Sequence, residues 1–148
     1  MKTYHHEFVI RCELKKVWDF FMSSNHFEVI SPEDLNEKLI KSSTNRLALG
    51  TELWISTDLF VRRTWHSRIT KLEEFREFVD EVPQDRLFAK WIHSHKFSQI
   101  DTTHTLVADN INFQFRYWIF GQMMERIIYP KLERIFAYRE NKTKEILE

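Results

Sequence analysis

From Thr3 to Cys12 apolar and polar residues alternate: Tyr4, His6, Phe8, Ile10 and Cys12 fall on one side of an extended chain, with His5, Glu7 and Arg11 on the other. A period of two predicts a strand with one buried face, Val9 being the exception on the outer side. From Glu13 to Met22 the period changes. Leu14, Val17, Trp18, Phe21 and Met22 recur at three and four residues, the stripe of a short amphipathic helix. Ser23, Ser24 and Asn25 end it, and Asn25 is placed to cap a second helical turn over His26 to Ile30, ahead of Pro32.

Strand patterning returns over Lys38 to Ser42 and Thr51 to Thr57, with Gly50 at the turn between them. Val61, Arg63, Trp65, Ser67 and Ile69 then share a face, after a connection read at Asp58-Leu59-Phe60. Arg76 to Val82, Phe88 to Ile100 and His104 to Phe115 follow, separated by turns at residues 83–86 and 101–103. Consecutive, turn-linked, half-apolar strands predict an antiparallel meander, because parallel neighbours need a crossover between each pair.

From Ile119 the helical period takes over: Met124, Ile127, Ile128, Leu132, Ile135, Phe136 and Arg139 lie on one side. This predicts a helix of roughly 25 residues, about 37 Å long at 1.5 Å per residue. Pro130 removes one backbone donor within it and predicts a kink between Arg126 and Pro130. So long an apolar stripe must be covered, and the sheet is the surface large enough to do it. The expected fold is therefore α+β: a curved seven-stranded antiparallel sheet wrapped around a long C-terminal helix, with two short helices after the first strand. One domain spans residues 1–148, with no repeat or linker to divide it.

Composition narrows the chemistry. The 148 residues suffice to bury a core without a disulfide or metal staple, and the single cysteine, Cys12, reads as a small buried hydrophobe. Lys and Arg number 22 against 22 Asp and Glu, so no global field draws in nucleic acid, which is not an expected partner. No run of about 18 apolar residues or signal-like N-terminus appears, so integral membrane association is not expected and a cytoplasmic location is. The 13 Phe, 5 Trp and 4 Tyr exceed what routine packing of a small domain needs, and either fill the core or line a cavity. Trp18, Trp54, Trp65, Trp91, Phe97, Phe113, Phe115 and Trp118 are the candidates, although Trp54 alternates out of phase with Leu53 and Ile55.

The segment Trp91 to Phe97 is the most informative. Alternation sets Trp91, His93, His95 and Phe97 on the interior face, opposite Ile92, Ser94 and Lys96. A tight turn at Asp101-Thr102 brings His95 opposite Asp109, His93 opposite Ile111 and Trp91 opposite Phe113, while Asp80 arrives from the other side near Trp91 or His93. Arg63 and His6 face the same interior. Asp80, His93, His95 and Asp109 thus form a polar patch among apolar groups. Such a patch can fix strand register, anchor a ligand carbonyl or hydroxyl, or supply an acid and a base. His93 and His95 also point the same way for a metal, but an isolated His-x-His without further ligand motifs leads to no expected metal. No phosphate loop, nucleophile elbow or paired-carboxylate signature is present, and no cofactor is expected.

Several segments together resemble one family. Val17-Trp18-Asp19-Phe20-Phe21, Ser31-Pro32, Phe78-Val79-Asp80-Glu81, Trp91 to Phe97 and Leu132-Glu133-Arg134-Ile135-Phe136-Ala137-Tyr138-Arg139 are similar to the ligand-binding SRPBCC group of the START-like and polyketide-cyclase-like superfamily. The resemblance covers nearly the whole chain and implies a helix-grip fold with a deep apolar cavity between sheet and helix. It implies a lipid, polyketide or other hydrophobic ligand, without a shared catalytic residue. The expected ligand-binding residues are Trp65, Asp80, Trp91, His93, His95, Phe97, Asp109, Ile111, Phe113, Met124 and Ile128. A non-catalytic binding module is the leading expectation. The alternatives are a cyclase or dehydratase in which His93 or His95 removes a proton, and a filled core with function on the surface.

Overall fold

The computed structural model describes all residues from Met1 to Glu148. Strand β1 (Lys2–Ile10) leads into helices α1 (Leu14–Phe21) and α2 (His26–Ile30) and a 3₁₀ turn at Glu33–Leu35. Six strands follow: β2 (Lys38–Ser42), β3 (Glu52–Thr57), β4 (Arg63–Glu73), β5 (Glu77–Val82), β6 (Phe88–Gln99) and β7 (Thr105–Phe115). Helix α3 (Trp118–Leu147) closes the chain. The strands form one antiparallel sheet in the order β1-β7-β6-β5-β4-β3-β2, open at the β1 and β2 edges. This is the expected α+β helix-grip arrangement.

Each strand buries the side its alternation selects. Tyr4, Phe8 and Ile10 are buried on β1 while Val9 is exposed, and on β4 the buried set is Arg63, Trp65, Ser67 and Ile69. Register irregularities between Ile69 and Lys71, and between Phe88 and Lys90, insert an extra residue, which bends a strand and raises its twist. Those bends let the sheet curl around α3. Helix α1 buries Val17, Trp18 and Phe21 against the sheet; the Trp18 ring meets Phe97 edge-on at 5.5 Å.

Four expectations need correction. Strand β4 begins at Arg63 and not Val61, because Phe60 adopts a left-handed φ of 67° that breaks the extended chain and leaves Val61 exposed. Helix α3 is 30 residues, longer than the roughly 25 expected, and Pro130 stands on its exposed side where water can take the freed carbonyl. Ile127 is 52% exposed: the buried row is Met124, Ile128, Leu132, Ile135 and Phe136, and Ile127 lies a step of about 100° off it. Trp54 does face outward, stacked at 4.6 Å on His66 with the Lys41 ammonium above it. Trp118 is 73% exposed and lines no cavity.

Arg63 turns inward as expected but is spent on structure. Its Nε donates to Asp85 Oδ1 at 2.8 Å, both side chains being almost fully buried, and Nη1 donates to the Leu59 carbonyl. Asp85 also accepts from the Leu87 backbone N–H, so the pair ties the start of β4 to the β5–β6 connection. Asp85→Ala leaves a buried guanidinium without its counter-charge and is expected to cost about 3–5 kcal/mol in urea denaturation. Replacing the pair together, as Arg63→Met with Asp85→Leu, should recover most of that loss. Equal costs for single and double variants would contradict this account.

Candidate functional site

Strands β3 to β6 and the C-terminal half of α3 stand apart enough to enclose a cavity of about 120 Å³. Leu53 and Ile55 from β3, Trp65 and Ile69 from β4, Phe78 from β5, Trp91 from β6 and Ile111 from β7 give it apolar walls. Leu132, Ile135, Phe136 and Arg139 form the α3 side, while His26, Phe27, Leu35, Glu37 and Leu47 close it from the segment between β1 and β3.

Of the residues expected from the sequence, Trp65, Asp80, Trp91, His93, His95 and Ile111 line this cavity. Asp109 lies just behind His93 and His95, on an adjoining hollow of about 20 Å³ shared with His26, Phe136 and Arg139. Phe97, Phe113, Met124 and Ile128 are buried but off the wall. Phe97 packs under α1 against Trp18 and Phe21, and Phe113 against Phe88, Trp91 and Tyr129. Phe113, against Tyr129, takes up space beneath the N-terminal half of α3, and the helix meets the cavity only from Leu132 onward. His6 is likewise occupied, 2.9 Å from Glu140 on α3.

The strand pairing generates the polar cluster. Asp80 pairs with His93 across β5 and β6, and His95 pairs with Asp109 across β6 and β7, the latter as read from the sequence. The side chains bond diagonally: His93 Nε2 lies 2.8 Å from Asp109 Oδ1, and His95 Nε2 lies 2.7 Å from Asp80 Oδ2. Ser67 Oγ donates to Asp80 Oδ1 at 3.1 Å. The two imidazoles stack at 3.7 Å, and Phe78 stacks on His95 at 4.1 Å. His95 Nδ1 is 3.1 Å from Asp109 Oδ1, but at an angle too poor for a hydrogen bond. His93 Nδ1, 3.9 Å from Asp80, makes no protein hydrogen bond and is not sealed off, so it opens on the cavity.

Burial and charge divide the two histidines. Burial works against charge on His95, but the Asp109 and Asp80 carboxylates overcome it and lift the group to about 9, so it is an imidazolium at neutral pH. Burial lowers His93, the adjacent His95 charge adds to this, and the bond to Asp109 only partly resists. Burial alone would raise both carboxyls; bonds and charge from the histidines reverse this and hold Asp80 and Asp109 ionised. His26, which periodicity does not mark as a site residue, is 7% exposed and lines both hollows. Burial and the nearby His95 charge push it down to about 3, leaving it neutral.

Donor atoms of Asp80, His93 and His95 lie within 4.8 Å of one another, a spacing from which a cation could be held. In this arrangement His95 Nε2 and Asp80 are bonded to each other. A metal would have to displace a proton that two carboxylates stabilise, and deprotonation is the step that sets such affinities.

These shifts fix the direction of pH dependence. Below pH 6.5 the unfolded chain takes up protons that His26 and His93 resist, so stability falls as pH drops through this range. Above 6.5 the folded chain retains on His95 a proton the unfolded chain gives up, so stability falls again as pH rises to about 9. Urea denaturation is expected to show a maximum near pH 6.5 and an alkaline loss on the order of 3 kcal/mol. In His95→Gln the slope between pH 6.5 and 9 should disappear; an unchanged slope would place the titrating group elsewhere.

No protein-family profile and no curated protein sequence matches the chain. Solved structures do. A START superfamily protein from Mycobacterium smegmatis superposes with a TM-score of 0.72 at 8% identity, over 98% of this chain and 96% of that one. A Thermus thermophilus protein gives 0.75 at 12% identity, over 97% and 95%. The Zhui aromatase/cyclase from a Streptomyces species gives 0.69 at 12%, over 98% and 95%. At these identities the likeness concerns architecture: the chain has the START-like, SRPBCC-type helix-grip fold.

Proposed function

We propose that the protein binds a hydrophobic small molecule, of lipid or polyketide-like character, in the cavity between sheet and α3. The supporting observation is the cavity itself, apolar on most sides with one fixed polar cluster on its sheet wall. Ligand sites commonly take this form, with affinity from apolar burial and orientation from a few polar groups. The neighbours described as a START superfamily protein and an aromatase/cyclase agree with such a use of the fold. Trp65 and Trp91, whose rings meet edge-on at 5.1 Å, supply the flat apolar surface.

A cyclase or dehydratase is the second reading, and the orientation of His93 favours it. Asp109 accepts from Nε2 and thereby fixes the ring, leaving Nδ1 toward the cavity as a base held neutral. His95, kept charged, is suited to donate and not to abstract a proton.

A thermal-shift and native mass-spectrometry screen against fatty acids, aromatic polyketides and sterols tests the first reading, since binding to the folded state alone raises the melting point. At least one class is expected to stabilise the protein, and Ile135→Trp, which fills the cavity from the helix side, to abolish the effect. A panel without any shift would remove the proposal. For the second reading, His93→Ala should lower turnover while ligand affinity stays nearly intact; parallel loss of both indicates anchoring.

A further inference from the structure

We propose that the molecule held in the cavity is a compact hydroxylated aromatic, and that His26 is a binding residue accepting its hydroxyl hydrogen. This rests on the cavity being a binding site and adds the class of ligand and the residue that selects it.

Two tautomers are fixed by geometry. His26 opens α2, and its Nδ1 lies 2.9 Å from the Ser23 carbonyl oxygen. A carbonyl can only accept, so Nδ1 carries the hydrogen and Nε2 of the neutral ring presents a lone pair. Nε2 makes no protein hydrogen bond and is not among the sealed-off polar atoms, and the space His26 lines is the cavity and its small annex. His93 repeats the pattern: the Asp109 carboxylate takes the Nε2 hydrogen at 2.8 Å, leaving the Nδ1 lone pair toward the same cavity. His95 stands between them, 6.5 Å from His26 and 3.7 Å from His93, ring centre to ring centre.

Both free positions are therefore acceptors, and each lacks a donor. The charges nearby point the same way. Asp80 and Asp109 face His95, and Glu37 faces the Arg139 guanidinium at 3.5 Å, so each cation on the wall already has an anion. Arg139 Nε is without a partner but is closed off, with the guanidinium over the Phe136 ring. A ligand carboxylate would add negative charge beside two lone pairs, and a bare hydrocarbon would cover them without replacing water. A hydroxyl satisfies one of them directly. Burial keeps His26 neutral far below physiological pH, so its acceptor character persists. The cavity of about 120 Å³, walled by Trp65 and Trp91, is near the size of about 150 Å³ known to take benzene, which suits a single ring.

The test compares benzene, phenol and benzoate on the intact chain by calorimetric titration. We expect phenol to bind roughly three- to tenfold more tightly than benzene, the gain from one hydrogen bond, and benzoate to bind more weakly than either. His26→Phe should abolish the preference for phenol over benzene. Because that variant alters a packed residue, long-range ¹H–¹⁵N spectra of the wild-type histidines give a second readout: phenol should move the His26 Nε2 resonance and benzene should not. Binding of benzene with no gain for phenol, or with benzoate preferred, overturns the inference and leaves the cavity-binding reading standing. A phenol preference that survives His26→Phe with an unmoved His26 resonance overturns the role of His26. If none of the three binds at its solubility limit, the inference fails, while the cavity-binding reading is decided by its own wider panel.

Discussion

Two carboxylates placed in an apolar interior must be neutralised where they stand, and everything else about this site follows from how that is achieved. The antiparallel register across β5, β6 and β7 sets Asp80 and Asp109 on either side of two histidines, so compensation is built into the pairing. One imidazole takes the proton and the other remains neutral, because two stacked rings at 3.7 Å cannot both be charged at small cost. The cluster thus has a fixed polarity: donors face the aspartates and a lone pair faces the open space. A one-residue slip of β6 would send His93 and His95 to the outer face and leave both aspartates uncompensated.

The cavity and the cluster have a common cause. Large rings on β6 and β7 hold α3 at a distance set near its N-terminal half, where Phe113 meets Tyr129, while on β1 Tyr4 meets Phe136 at 5.3 Å. Between those contacts and the curling edge formed by β3 and β4, the smaller Ser67, Thr57 and Ile55 do not reach the helix, and space remains. The polar groups occupy the wall where that space begins, so each can be paired within the sheet and still present an unused atom inward.

Much of this is legible in the sequence because alternation is a strong signal when one face of a strand is buried. The seven strands and the β6–β7 register with His95 opposite Asp109 follow from period two and a short turn. Other features have no such carrier. His26 sits in a helix of five residues, too short for periodicity to separate a wall position from a packed one. The stripe on α3 runs unbroken from Met124 to Phe136, so sequence alone does not say which turns meet the cavity; that is decided by the size of rings on the opposing strands. Ile127 departs from its expected place because an apolar residue at a stripe's margin matches the pattern without being covered. Strand β4 starts two residues later than its pattern because Phe60 takes a conformation its residue type does not announce.

The ties around the cavity differ in kind. At the β4 end, Arg63 and Asp85 are locked together out of reach of solvent, and parting them would strand two ions in an apolar medium. Toward the 3₁₀ turn, α3 is fastened by Arg134 to Asp34, a pair open to solvent, and by Arg139 to Glu37 at a loose 3.5 Å. Water and salt compete freely for the exposed Arg134–Asp34 pair, whereas Arg139 and Glu37 are largely covered. The two borders of the cavity therefore answer differently to ionic strength: added salt weakens the tie beneath the 3₁₀ turn and leaves the β4 end untouched.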